Sequence, residues 1–261
     1  MESASGLRMI DVDNIHFSID DKKILDGISA RFEPRMIHGI IGPNGSGKST
    51  LLKNICRIWE PQSGSIVING KDYTEIPRKE LSTMVTLVPQ NTTIGFPISV
   101  FDIVSMGRNP HLGRFEGLRH MDRDIIERAL QQTNIFALKD RSINELSGGE
   151  GQLAIIARAI ATEASLILLD EPTSELDVKH TLEIVKILNE FKEQDKTILV
   201  SIHDLNLARR FCDTISILYR GKLFYSGTPE DAFAEENIKQ VFEINVREYK
   251  HNDTTFLDFY S

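Results

Sequence analysis

Two short stretches of this chain carry the residue types that handle phosphate groups. Residues 42–50 read Gly42-Pro43-Asn44-Gly45-Ser46-Gly47-Lys48-Ser49-Thr50, the spacing Gly-x-x-x-x-Gly-Lys-Ser of a phosphate-binding loop. Only a turn without side chains lets several backbone N–H groups close around one phosphate. The helix that follows adds a partial positive charge at its N-terminus. Lys48 can reach β- and γ-phosphates, and the Ser49 hydroxyl can bind Mg²⁺. The second stretch is Leu166-Ile167-Leu168-Leu169-Asp170-Glu171. An apolar strand ending in two carboxylates delivers acids to the edge of a parallel sheet where ligands of open α/β sheets bind. Asp170 is suited to hold Mg²⁺ through water, and Glu171 to act as general base on the attacking water. A chance lysine after a glycine turn, or two acids that only cap the next turn, would explain either stretch alone. Their occurrence together argues against both.

These side chains need elements to position them. Ile37-His38-Gly39-Ile40-Ile41 before the loop suits a buried parallel strand. Leu51, Leu52, Ile55, Ile58 and Trp59 after it recur at helical spacing. Antiparallel strands are expected at 10–19, 29–32 and 65–69, the last followed by the turn pair Asn69-Gly70. Another strand is expected at 84–88. Residues 91–163 read as mostly helical, with one helix over 124–133 and another marked by the stripe Leu153, Ile156, Ala157 and Ile160. Next come a strand at 166–169, a helix at 179–192, a strand at 197–202 and a short helix from Asn206. A hairpin of 215–218 with 223–225 turns at Arg220-Gly221, and the tail from Thr228 reads as a helix followed by a short strand pair. The layout is mixed α/β, without internal repeat or low-complexity linker.

Composition narrows the class. A chain of 261 residues, 41% hydrophobic, can bury a substantial core as one large domain or a core with a subdomain. Its formal charge of −8 argues against sequence-independent nucleic-acid binding, so no nucleic-acid partner is expected. Cys56 and Cys212 are the only cysteines and show neither metal spacing nor a disulfide framework, which fits a reducing compartment. Residues 1–13 lack an apolar core of signal-peptide length. No stretch approaches the roughly 20 apolar residues that cross a bilayer, so any membrane role is expected to come through a partner.

Leu146-Ser147-Gly148-Gly149-Glu150 opens the helix that carries Leu153 and Ile156. A serine and two glycines at a helix N-terminus again suit a γ-phosphate. With this motif the chain resembles, over nearly its whole length, the ATP-binding subunits of ABC transporters. The resemblance implies a P-loop NTPase fold of the ABC type with an antiparallel β subdomain and a helical subdomain. Residues 1–90 and 164–225 would form the ATP-binding core, 91–163 the helical subdomain and 226–261 a tail packed on the core. It implies ATP and Mg²⁺ as cofactors and a head-to-tail homodimer in which each ATP lies between the phosphate loop of one subunit and Ser147–Glu150 of the other. Gln90 matches the family's Q-loop, a ligand of Mg²⁺ or the attacking water. Ser174-Glu175-Leu176-Asp177 matches the D-loop, with Asp177 at the nucleotide, and His203 matches the switch histidine that contacts the γ-phosphate.

Three residues depart from the family pattern. The slot of the adenine-stacking aromatic falls on Ile19, and Phe17 substitutes only if the loop is shifted. Gly151 stands where many relatives have a basic residue, and Glu175 replaces a small one. The stretch from Val88-Pro89-Gln90 through Ser99-Val100 to Met106-Gly107-Arg108-Asn109-Pro110-His111 resembles importers of iron chelates (siderophores), haem and cobalamin. So does His203-Asp204-Leu205-Asn206-Leu207-Ala208 with Cys212-Asp213. The implied protein powers such a type II importer. It would sit peripherally on the cytoplasmic face of the cell membrane, on two transmembrane permease subunits supplied by an extracytoplasmic binding protein. Molybdate or tungstate as cargo, and a soluble ABC ATPase of the iron–sulfur assembly type, stay open as alternatives.

Overall fold

A computed structural model describes residues 9–90, 94–174, 176–251 and 254–260. In chain order come β1 (Ile10–Ile19), β2 (Lys22–Phe32), β3 (Ile37–Ile41), α1 (Lys48–Ile55), β4 (Ser63–Ile68), β5 (Lys71–Asp72), α2 (Arg78–Met84) and β6 (Val85–Val88). The helical stretch holds α3 (Val100–Ser105), a 3-10 turn (Met106–His111), α4 (His120–Gln132) and α5 (Gly148–Ala161). There follow β7 (Leu166–Asp170), α6 (Val178–Glu193), β8 (Thr197–Ser201), α7 (Leu205–Phe211), β9 (Thr214–Tyr219) and β10 (Lys222–Gly227). The tail consists of α8 (Pro229–Ala232), α9 (Glu235–Phe242), β11 (Asn245–His251) and β12 (Thr254–Tyr260).

The main sheet runs β10-β9-β3-β8-β7-β6. All its pairings are parallel except the β9–β10 hairpin. Its strands are apolar on both faces because each face meets a different core. Ile37, Ile41, Ile167, Leu169, Ile198 and Val200 pack with the helical stretch and the tail. Ile40, Leu166, Leu168 and Leu199, in alternation with them, pack with α1 and a second sheet, β2-β1-β4-β5, which is antiparallel. The period of two along each strand thus divides one chain between two cores.

Some expectations change in extent. The apolar periodicity after the loop does not stay helical to Trp59. The helix ends at Ile55, and Arg57 turns left-handed at φ 57°, held by its guanidinium on the carbonyls of Tyr73 and Ile76. Ile58 is left exposed. β2 begins at Lys22, earlier than the expected 29, because it pairs along β1 back to Ile19. Its polar first half conceals the strand from a hydropathy reading.

The segment 106–111 proves to be a structural clasp. Arg108 is buried and donates through Nε to Asp122 at 2.9 Å and through Nη1 to the Ala161 carbonyl and Glu163, each at 2.8 Å. A Cβ on Gly107 would sit 2.3 Å from the Arg158 carbonyl oxygen. The His111 ring Nε2 lies 2.8 Å from the Thr162 carbonyl. These contacts bind the turn to the C-terminal end of α5.

Candidate functional site

The glycine-rich loop leaves β3 and enters α1. Gly42 and Gly47 have φ 149° and 107°. A Cβ on Gly42 would lie 2.1 Å from the Leu218 carbonyl oxygen, and one on Gly47 2.7 Å from Leu25 Cδ2, so glycine is required at both. No described side chain caps the N-terminus of α1, which leaves its first amides facing outward with the positive end of the helix dipole. Lys48 is buried and its ammonium donates to the carbonyls of Gly42 at 2.9 Å and Pro43 at 3.4 Å. Burial lowers its pKa below the usual lysine range, opposed by the charges of Glu171 and Asp170.

The two carboxylates at the end of β7 face this lysine and its neighbour. Ser49 Oγ donates to Asp170 Oδ1 at 2.9 Å, and Ser201 Oγ donates to the same oxygen at 2.8 Å. Glu171 adopts a left-handed backbone, φ 49°, a strained state that neighbouring bonds must sustain. Its amide donates to Ser201 Oγ at 2.9 Å. Its carboxylate receives Gln90 Nε2 at 2.6 Å, meets His203 Nε2 at 2.5 Å and lies 3.9 Å from Lys48 Nζ.

Together these residues line a cleft of about 490 Å³ formed by Lys22, Ile24, residues 44–50, Gln90, Glu171 and His203. Gly42 and Pro43 lie under it as the carbonyl partners of Lys48. Ile19 is exposed and is not among the lining residues. Phe17 is buried, stacked on Trp59 at 5.3 Å between centroids and 7° between planes. Its ring is thus committed to the core, which removes it as the substitute aromatic. Lys22 and Ile24 were missed in the sequence because they precede the loop by a full strand. Ser201 was also missed. Its one signal is a hydroxyl ending the apolar run Ile198-Leu199-Val200 two residues before His203.

The second motif does not enter this cleft: among the described residues Ser147, Gly148, Gly149, Glu150 and Asp177 are absent from its lining. Ser147 caps α5 in a reciprocal box, its Oγ accepting from the Glu150 amide at 3.3 Å while the Glu150 carboxylate accepts from the Ser147 amide and hydroxyl, each at 2.9 Å. Those two bonds from Ser147 hold the Glu150 carboxyl below the usual carboxylate range. Gly148 has open space where a Cβ would stand, and Gly151 likewise, among the described residues. Gly149 does not: a Cβ there would meet His180 Cγ at 2.5 Å. His180 is in turn held by Asp177, which accepts from its amide and contacts its Nδ1, both at 2.8 Å, capping α6. Asp177 and Gly149 are therefore joined through one imidazole. Glu175 lies outside the described residues.

The donors near Lys48 suit a hard divalent cation. Ser49 and Asp170 present oxygen atoms side by side, while the Gln90 amide donates to Glu171. No cluster of three or more His, Cys, Asp or Glu able to hold a metal occurs among the described residues. A hydroxyl beside a carboxylate fits Mg²⁺, which takes one or two protein oxygens together with nucleotide phosphates.

The chain is 36% identical over 240 residues to the iron(3+)-hydroxamate import ATP-binding protein FhuC of Bacillus subtilis, covering 92% of this chain and 89% of that one. It is 32% identical to the cobalamin import ATP-binding protein BtuD of Halobacterium salinarum, of whose length it spans 59%. A solved structure described as a metal-chelate type ABC transporter in an inward-facing conformation superposes with a TM-score of 0.84 at 28% identity, covering 97% of this chain and 96% of that one. The ABC transporter family model matches residues 25–174, a span that runs from β2 through the loop, Ser147–Glu150 and both carboxylates, and the chain therefore belongs to the ABC transporter family.

Proposed function

We propose that this chain is the ATP-hydrolysing subunit of an ABC importer whose cargo is an iron chelate, with haem and cobalamin as related cargoes. One observation carries the reading. The phosphate loop, Glu171 and His203 line one cleft, while the signature residues Ser147–Glu150 are absent from its lining. A motif suited to a γ-phosphate that does not reach its own chain's loop is suited to another copy's nucleotide. Two copies arranged head to tail complete two sites.

In this reading the loop amides and Lys48 bind the phosphates. Lys48 needs little reorganisation, since its ammonium is already directed into the loop. Glu171 accepts the proton of the attacking water, and His203 and Gln90 orient its carboxylate from either side. Mg²⁺, held by Ser49 and Asp170 with Gln90 beside it, would neutralise the charge of the phosphates. Ser147 and the Gly149 amide close the site from the second copy.

A different surface supports the membrane partner. No helix among the described residues is long and apolar enough to cross a membrane. A groove of about 340 Å³ is lined by Ile58, Leu87, Met106, Pro110 and their neighbours, and Ile58 and Met106 are exposed. Such a groove suits a helix presented by a permease on the cytoplasmic face of the membrane. The Arg108 clasp keeps its Met106–Pro110 wall rigid. The cargo rests on the kinship with the hydroxamate and metal-chelate relatives, and an extracytoplasmic binding protein would supply it.

The test is reconstitution with permease subunits that co-purify with this chain, followed by uptake of labelled ferric hydroxamate, haem, cobalamin and molybdate. ATP-dependent uptake of the hydroxamate, haem or cobalamin, and not of molybdate, is the expected result. Failure to co-purify with any permease, with ATPase activity intact, would favour a soluble ABC ATPase. The shared site is tested by mixing Lys48→Ala with Ser147→Arg subunits. One composite site then collects both lesions and the other is intact, so activity should reappear. Disulfides between cysteines at positions 46 and 147 that form only within one chain would refute the sandwich.

A further inference from the structure

His203 sits on a short connection whose two ends are held by different parts of the molecule. On one side β8 ends at Ser201, fixed by parallel pairing with β7 and by the Ser201 bonds to Asp170 and Glu171. On the other side Asp204 caps α7 by accepting from the Leu207 amide at 2.9 Å. A helix of seven residues cannot hold its own position in water, so tertiary contacts must set where α7 lies.

Leu205 and Ala208 pack into the larger core, and polar contacts come from the tail. Asn206 Nδ2 donates to the Leu257 carbonyl at 2.9 Å, and the Leu257 amide donates to Asn206 Oδ1 at 2.7 Å. One side-chain amide thus satisfies both backbone groups of a residue in β12, as a neighbouring strand would. Arg209 contacts Glu230 of α8 at 2.9 Å and Glu248 of β11 at 3.9 Å. Leu257 itself is buried in the larger core. The hairpin is therefore fastened to α7 three residues beyond His203, by a group that reads backbone and not sequence. A leucine at 206 could fill the space but would leave the Leu257 amide and carbonyl without this partner, so the carboxamide also fixes where α7 lies against the hairpin.

We propose that Asn206 is a positioning residue for ATP hydrolysis, coupling the seating of the C-terminal hairpin to the place where His203 meets Glu171. The inference rests on the roles proposed above for His203 and Glu171. It gives the tail a part in turnover that does not involve contact with the nucleotide.

The test is a double-mutant cycle on the full chain. Asn206→Leu removes both bonds at similar volume, and Asn206→Asp keeps only the acceptor for the Leu257 amide. Asn206→Leu should lower kcat by about tenfold, the scale of one lost pair of half-buried bonds, while KM for ATP stays within about twofold, since the loop is untouched. Asn206→Asp should fall between wild type and Asn206→Leu, and it serves in the cycle if the leucine variant does not fold. In a His203→Ala background the same change should have no further effect. Without nucleotide, the ring resonance of His203, assigned by its loss in His203→Ala, should shift in Asn206→Leu. An equal fall in kcat in both backgrounds, or an unmoved His203 resonance, would show that Asn206 serves stability only and overturn the proposal. An unchanged kcat in His203→Ala alone would overturn the role of His203, and this inference with it.

Discussion

Glu171 and His203 meet at 2.5 Å through Oε1 and Nε2, while Gln90 donates to the other carboxylate oxygen at 2.6 Å. The carboxylate is thus held from both sides before any water reaches it, and a base so held loses little freedom at the moment of reaction. Glu171→Gln keeps the size of the side chain and removes the proposed base. Steady ATPase activity should fall by the order of 10²–10⁴ expected for loss of a general base, with ATP binding retained. Hydrolysis at the wild-type rate would remove Glu171 from that role.

The stacked pair Phe17–Trp59 leads to an expectation about adenine. With Phe17 buried in the core, Phe17→Ala should cost stability, about 3–5 kcal/mol as for other buried phenylalanines. At a temperature where the variant stays folded, its ATP affinity should match that of wild type. Ile19→Tyr offers a ring from the exposed end of β1 and should tighten ATP by up to about 1 kcal/mol. Denaturant titration and nucleotide titration of the two variants separate these effects. Lost affinity in folded Phe17→Ala would mean that the ring reaches the base after all.

Two glycines in one helix should respond oppositely to the same change. Gly149→Ala drives a methyl group into His180 and should destabilise by about 1–3 kcal/mol, the range for overpacking. Gly149→Ala with His180→Ala should recover part of that. Gly151→Ala meets no described atom within 4 Å and should stabilise by roughly 0.5–1 kcal/mol through helix propensity. Chemical denaturation of the three variants gives the signs, and a stabilising Gly149→Ala would contradict the contact.

His38, one residue into β3, is buried with its ring nitrogens on Thr214 Oγ1 and the Glu33 carbonyl. Burial lowers its pKa from the ordinary 6.5, opposed by the bond to Glu33. The unfolded chain therefore takes up this proton first. The contribution of His38 to stability is full above about pH 6.5 and is lost as pH falls toward the lowered value, with a slope of at most about 1.4 kcal/mol per pH unit. In His38→Gln this part of the slope should vanish below about pH 6.5. Equal slopes in the two proteins would exclude His38 as its source.

How much of this could be read in the sequence depends on how local each feature is. The phosphate loop, the acids ending β7 and the capping Ser147–Glu150 were legible because their chemistry fixes residue type over a few positions. β2 was legible only in its apolar half, since Lys22, Lys23 and Asp26 hide its alternation. The end of α1 was not legible, because a left-handed arginine held by distant carbonyls decides it. The segment 106–111 was seen as a marker of cargo, and its visible work is to clasp α5. Ser201 stayed hidden because a single hydroxyl carries no pattern. What it touches is set by which residue of β7 lies opposite.

That opposition has a consequence for how this protein is judged to be folded. Asp170 and Ser201 are register partners in parallel strands, and one hydroxyl donates to the Asp170 carboxylate while accepting from the Glu171 amide. A slip of β8 by one residue would exchange its two apolar faces and carry Ser201 away from both acids. Such a chain could keep its helices and collapse around much the same apolar residues, so circular dichroism or compactness would pass it. Hydrolysis would not. Turnover is thus the stricter proof-reader of strand alignment, and a refolded sample is best graded by its ATPase activity per mole and not by its spectrum.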